Sequence, residues 1–315
     1  MSENFFALKA DLGELVGDRK IISATVGPDG EACLFAVAAR DGGIALGREE
    51  RKGFAIFPLS RARNSYEAMF MRYRDCVLQR TELKGVEQAF PTVEALPNGE
   101  ILLVGARCHY RDGNPEKNAV VFGPDGREVR RFVLGDGIAD VQTTKEGLIW
   151  VSYFDEGVFG NFGWNEPMGA AGIVCFNARG EKVWDFVAPS KAGMVADCYA
   201  MNVAGDAVWA CYYTDFPVVR IDAARKVRAW RNSVAGASAM AVNNRHVVLW
   251  GGYGEERMRC IVQEYSESEP ELKNSREIGL EFPAEVDAKG LRVTGRGAGL
   301  HAFVGARWYR WTMNA

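Results

Sequence analysis

The chain has 315 residues, 48% of them hydrophobic, 11% aromatic and 25% charged, which supplies a large core and excludes a disordered chain. The 38 basic and 41 acidic residues leave a net charge of -3 with no basic run long enough to track a phosphate backbone, which disfavours nucleic acid as a partner. The opening residues Met-Ser-Glu-Asn-Phe-Phe-Ala-Leu-Lys put an acid where an export signal carries bases, and no apolar stretch reaches bilayer-spanning length; the expectation is a cytoplasmic, monomeric protein without membrane association.

The first strand-like run, Phe5 to Leu12, has no local partner. After it one pattern recurs, a short apolar run, a turn with Gly, Asn or Asp, and a second apolar run rich in β-branched and aromatic residues, which is a hairpin signature. The first copies are Ile21 to Thr25 with the turn Pro28-Asp29-Gly30, Pro91 to Leu96 with Pro97-Asn98-Gly99, and Ala139 to Thr143 with Lys145-Glu146-Gly147. Three more follow: Cys198 to Val203 with Ala204-Gly205-Asp206, Ser238 to Val242 with Asn243-Asn244-Arg245, and Leu291 to Thr294 with Gly295-Arg296-Gly297.

A second hairpin follows the first in several copies, clearest in Asn118 to Phe122, the turn Gly123 to Gly126, and Arg127 to Leu134. Four antiparallel strands per copy, in six copies without helical periodicity between them, predict a single all-β domain over 1–315, a six-bladed β-propeller with four-stranded blades. The wide gap between the first two glycine-marked turns places an insertion in the first blade, assigned to Arg40 to Met71, which is charged and short of strand pattern. The last copy ends one strand short at Arg307 to Met313, so Phe5 to Leu12 is expected to complete it and close the ring. The seven cysteines are odd in number and lack metal-ligand spacing, which predicts reduced, mostly buried thiols.

Counting back from each first turn gives two columns on the inner strands. Ala24, Val93, Val141, Ala200, Ala239 and Val293 are small and apolar, as blade packing requires. Ser23, Thr92, Asp140, Tyr199, Ser238 and Arg292 are polar and form the candidate lining of a central channel, where they either satisfy one another and water or hold a ligand. The connections after the second strands are expected to open on the same face. They read Tyr153 to Trp164 (with Asp155 and Glu156), Tyr212 to Pro217 (with Asp215), Arg107 to Asp112 (with His109), and Gly251 to Arg257. Aromatic walls with a few orienting polar groups suit a small-molecule or peptide site, against the plainer reading that the aromatics cap the blades.

The phrase Glu146-Gly147-Leu148-Ile149-Trp150-Val151-Ser152, with Asp206-Ala207-Val208-Trp209-Ala210, resembles the central hairpins of six-bladed propellers of the NHL-repeat and gluconolactonase-like (senescence-marker-protein-type) kind. The resemblance covers the blade pattern over most of the chain, but its motifs are generic to the fold. It implies a tunnel cation such as calcium, part of whose shell Asp140, Asp197 and Asn202 would supply; Ser23, Thr92 and Ser238 stand where further ligands would be needed, and no acid lies within Ile21 to Val26. No nucleophile elbow or phosphate loop is present, and His246 and His301 lie inside apolar strand runs.

The expected function is a ligand-binding propeller that takes a small polar or aromatic molecule or a peptide and requires no cofactor. The ligand-binding residues on this reading are Asp140, Tyr199, Asp155, Glu156, Asp197, Tyr212, Asp215, Arg292 and His109. The alternatives are a metal-dependent hydrolase of lactonase or esterase type on the same face, and an interaction scaffold working through the inserted segment.

Overall fold

A computed structural model describes residues 5–50, 56–283 and 290–313. Among these residues the strands assemble into six four-stranded antiparallel blades, the repeat of a six-bladed β-propeller, within two compact units. No helix among them is long and apolar enough to cross a membrane.

One unit, residues 15–185, holds the first three blades. The first consists of Lys20–Val26, Ala32–Val37, Arg61–Arg74 and Val77–Gln88; the second of Pro91–Ala95, Ile101–Gly105, Ala119–Phe122 and Glu128–Phe132. The third is Ile138–Thr143, Ile149–Tyr153, Ile173–Phe176 and Lys182–Asp185. Ala32–Val37, Ile101–Gly105 and Ile149–Tyr153 are buried at every residue, and the second blade presses one face on the first and the other on the third. Phe35, Phe70 and Leu83 of the first blade pack with Val93, Leu103 and Phe122 of the second. Leu102, Val104 and Val121 pack with Val141, Val151 and Phe176 of the third. The outer strand Lys182–Asp185 is largely solvated and carries charge at both ends, which blunts an open sheet edge.

The other unit contains residues 1–14 and 186–315. Its blades are Asp197–Ala204, Ala207–Tyr213, Val218–Ile221 and Val227–Trp230; then Ala239–Val242, His246–Trp250, Cys260–Glu264 and Lys273–Glu277; and last Leu291–Arg296, Gly299–Val304, Arg307–Thr312 and Ala7–Asp11. The strand expected to complete the last blade does so. Ala7 pairs with Arg310, Leu8 with Tyr309, Ala10 with Trp308 and Asp11 with Arg307, and Arg307 Nε donates to Asp11 Oδ2 at 3.0 Å. Phe6 anchors it, fully buried between Phe282 at 4.5 Å and Trp250 at 5.6 Å between ring centroids.

Three expectations need correction. Residues 61–71 are not insertion but most of the first blade's third strand, Arg61–Arg74, whose Tyr66, Ala68, Phe70 and Met71 are buried. The connection proper holds two short helical turns and the paired dipeptides Arg48–Glu49 and Phe57–Pro58. In the last blade the hairpin turns at Gly297-Ala298, and Gly295 lies inside the strand. A side chain there would meet the Met240 carbonyl, 1.6 Å from where its Cβ would stand, so the glycine marks a close approach of two backbones. Finally, β-bulges shift the register between Ile21 and Ser23, Ile138 and Asp140, and Cys198 and Ala200. Ser23 and Asp140 therefore match Ala200 in ladder position, and Tyr199 is the extra residue of its bulge.

Candidate functional site

In the unit formed by residues 15–185, the connections after the second strands of three successive blades converge on a cleft of about 460 Å³. Glu49, Phe57, Pro58, Leu59, Ser60 and Arg61 line it from the first blade, His109, Arg111 and Glu116 from the second, and Asn161 and Phe162 from the third. The second blade's connection forms a small hairpin, Tyr110–Arg111 on Asn114–Pro115, and the third blade's carries a short helix, Asp155–Phe159; neither element is read from the sequence.

Behind the cleft lies an ion cluster. Arg107 and Asp136 are 4% and 3% exposed and face each other through two hydrogen bonds, Nε to Oδ1 and Nη2 to Oδ2, each 2.9 Å. The Cys108 amide donates to Asp136 Oδ1 at 2.7 Å, and Glu156 pairs with the same Nη2 of Arg107. Burial pushes the Asp136 carboxyl up from its ordinary pKa, and the Arg107 contacts pull against it. The guanidinium also lies over the Phe162 ring at 4.0 Å and over the Phe154 ring at 5.4 Å.

Phe162 joins this cluster to the cleft. Its other ring neighbour is His109, 4.3 Å away and tilted by 41°. Its φ is 50°, an unusual conformation for a bulky residue, and the Asn161 side chain caps its amide while its carbonyl accepts the Tyr110 amide at 2.9 Å. Trp164 locks the same two connections by donating from Nε1 to the Cys108 carbonyl at 2.7 Å. Burial lowers the His109 pKa below its ordinary value, helped by the charge of Arg111, so the ring is neutral near pH 7. The cleft thus offers apolar walls of Phe57, Pro58, Leu59 and Phe162, a neutral imidazole and the solvated charge of Arg111.

The expected site residues divide accordingly. His109 and Glu156 belong to this constellation. Asp155 is exposed at the start of the short helix, where its carboxylate caps the Glu156 amide. Asp140 is half-buried and engaged locally, accepting from the Val141 amide at 2.9 Å and the Gln142 side chain at 3.0 Å. In the other unit Tyr199 and Asp197 are half-buried, and Asp215 and Arg292 are exposed. Tyr212 is corrected: it is fully buried, with its hydroxyl directed to the carbonyls of Ala192 and Gly193, and it is a core residue. The next residue, Tyr213, is the exposed one, as strand alternation dictates.

Asn202 is likewise taken up by packing, since its amide donates to the carbonyls of Met240 and Gly297 and its oxygen accepts the Gly297 amide. No three His, Cys, Asp or Glu side chains among the described residues are grouped to hold a metal. Asp136 escapes a reading of sequence that looks for exposed loop chemistry, and Arg107 enters it only as the first residue of a candidate connection. The available signal is Gly135-Asp136-Gly137, a carboxylate between two glycines of positive φ just before an inner strand. Gly137 has no room for a Cβ, which would meet the backbone of Gly157 at 2.2 Å.

Residues 169–259 match the YxzG family, a stretch well short of half the chain. No curated protein matches the chain. Among solved structures the chain is similar to Hsv2 of Kluyveromyces lactis, at a TM-score of 0.50 and 12% identity over 90% of this chain and 71% of that one. A virginiamycin B lyase from Staphylococcus aureus aligns at 0.46 and 12% identity, over 94% and 96% of the two chains. A gluconolactonase from Xanthomonas campestris aligns at 0.44 and 10% identity, over 99% of each. At such identities the similarity concerns the fold and not the chemistry.

Proposed function

We propose that this propeller is a binding protein whose cleft beside His109 and Phe162 takes a small molecule with a planar apolar part and a polar edge. The observation that carries the reading is Phe162, held at φ 50° between the His109 ring and the Arg107 guanidinium. A buried ion cluster is weak as a source of stability, whereas here it fixes the ring that walls an open cleft. A ligand ring packed against Phe57, Pro58 and the edge of Phe162 would leave its polar edge near His109, Arg111 and Glu116.

The test is a thermal-shift screen of small metabolites and divalent cations on the wild type, on Phe162→Ala and on Asp140→Asn. A ligand of this cleft stabilises the wild type and loses most of that effect in Phe162→Ala, while Asp140→Asn reports whether the inner strand takes part. Equal stabilisation of the wild type and Phe162→Ala would place the ligand elsewhere.

A further inference from the structure

The unit formed by residues 1–14 and 186–315 carries a separate aromatic constellation. Tyr199 stands at the bulge of Asp197–Ala204, Tyr213 ends the second strand of that blade and Phe216 follows it, and Tyr253 follows the second strand of the next. The ring planes of Tyr199 and Phe216 meet at 87°, those of Tyr199 and Tyr253 at 79°, and those of Phe216 and Tyr253 at 73°. Their centroids are 5.3, 6.0 and 6.3 Å apart in the same order, and Tyr213 adds a fourth ring 5.8 Å from Phe216.

Three ring planes near right angles with centroids this far apart can turn a face toward one shared point, which would then lie inside the roughly 6 Å at which a ring face attracts a cation. The walls are fixed beforehand. Tyr253 donates its hydroxyl to that of Tyr199 at 2.8 Å, and its ring sits against Gly236, where a Cβ would come within 2.9 Å. Phe216 holds φ 52°, and its carbonyl accepts from the Asn232 side chain at 3.1 Å.

This cluster is not core. Tyr213 and Tyr253 are 45% and 53% exposed. The nearby charge is net negative: Asp215 adjoins Phe216 and Glu255 lies two residues after Tyr253, both exposed, Arg259 is paired with Glu256 and Glu277, and Arg257 is the one further cation of that turn, its Nε on the Gly254 carbonyl. The Tyr199 phenol is pushed above its ordinary range by its bond to Tyr253 first, then by burial, with the charge of Asp197 adding to both. We propose that Tyr199, Tyr213, Phe216 and Tyr253 form a cage for a methylated ammonium cation, in which a poorly hydrated positive group rests on ring faces and the carboxylates supply the long-range attraction.

Titration calorimetry of the full chain tests this with choline, with 3,3-dimethylbutan-1-ol as its uncharged isostere, and with the trimethylated and unmethylated forms of acetyl-lysine amide. The expected result is binding of choline or trimethyllysine, with the uncharged isostere and unmethylated lysine weaker by about tenfold or more. Preference for choline identifies a free quaternary amine as the source, and preference for trimethyllysine a modified protein segment. Tyr253→Phe, which keeps the ring, should bind within about threefold of wild type, and Tyr253→Leu should lose about tenfold or more with its melting temperature unchanged. Equal affinity for the neutral isostere, no binding of either methylated cation at millimolar concentration, or wild-type affinity in Tyr253→Leu would overturn the proposal. None of these outcomes bears on the cleft at Phe162.

Discussion

Arg107 grips Asp136 through two parallel hydrogen bonds of 2.9 Å, with the whole contact nearly closed to water. Removing Asp136 leaves the buried guanidinium with the half-buried Glu156 as its only carboxylate partner among the described residues, in a site that cannot solvate it. Asp136→Ala is expected to lower stability by about 3–5 kcal/mol, and Arg107→Met with Asp136→Leu to recover part of that loss. Urea unfolding of the two variants measures both. A single variant within 1 kcal/mol of wild type, an amount of about the size of a neutral hydrogen bond, would show that water reaches the pair.

The edge strand Ala7–Asp11 is held by its ladder to Arg307–Thr312 and by Phe6. Phe6→Ala should cost about 3–5 kcal/mol, the usual range for truncating a buried aromatic. Deleting residues 1–11 should lower the melting temperature further, because it also leaves Arg307–Thr312 as an uncovered edge. An unchanged melting temperature after the deletion would contradict this role.

His301 supplies a pH dependence. Burial drives its pKa down to about 3, with the charges of Arg310, Arg296 and Lys9 acting the same way, and its Nδ1 accepts from Trp308 Nε1 at 3.1 Å. The folded chain therefore holds the neutral ring. Its contribution is complete above the ordinary pKa of about 6.5 and is lost as the pH falls from there toward 3, by up to about 1.4 kcal/mol per unit. His301→Gln, which keeps an acceptor without titrating, should show a shallower acid limb in stability measured between pH 7 and 4, roughly the span in which histidine changes charge.

All seven cysteines are free; six are buried, and Cys76, at the tip of a hairpin with φ 64°, is exposed. A thiol reagent should modify one group rapidly in the native protein and all seven after denaturation. Cys76→Ser should remove the fast phase. A persisting fast phase would mean that one of the buried strands opens on the timescale of the assay.

The blades are legible in the sequence because their chemistry is local. Gly30, Gly99 and Gly147 hold φ of 79°, 74° and 86° in the first turns, and the strands behind them are apolar on both faces. The long strand Arg61–Arg74 is harder to see, since its first five residues are mostly polar and exposed and its apolar run is short, 68–71. The site is less legible for a different reason. Arg107 and Asp136 meet only because two connections fold side by side, and no spacing rule links positions 29 residues apart. Counting back from the first turns fails where turn length changes: Gly205-Asp206 is one residue shorter than the turns at 28–30 and 145–147, so the count that reaches Ser23 and Asp140 overshoots Ala200 to Tyr199.

The ladder between Ala7–Asp11 and Arg307–Thr312 also sets an order of events during synthesis. The Arg307 to Asp11 bond spans 296 positions, so the earlier-made strand must wait, unpaired, until the later one has been synthesised. Until then the nascent chain carries both a solitary apolar anchor at Phe6 and a blade with an open side. Contacts so distant in sequence form slowly, and the interval is when chaperone capture or strand exchange between neighbouring chains would compete with correct closure.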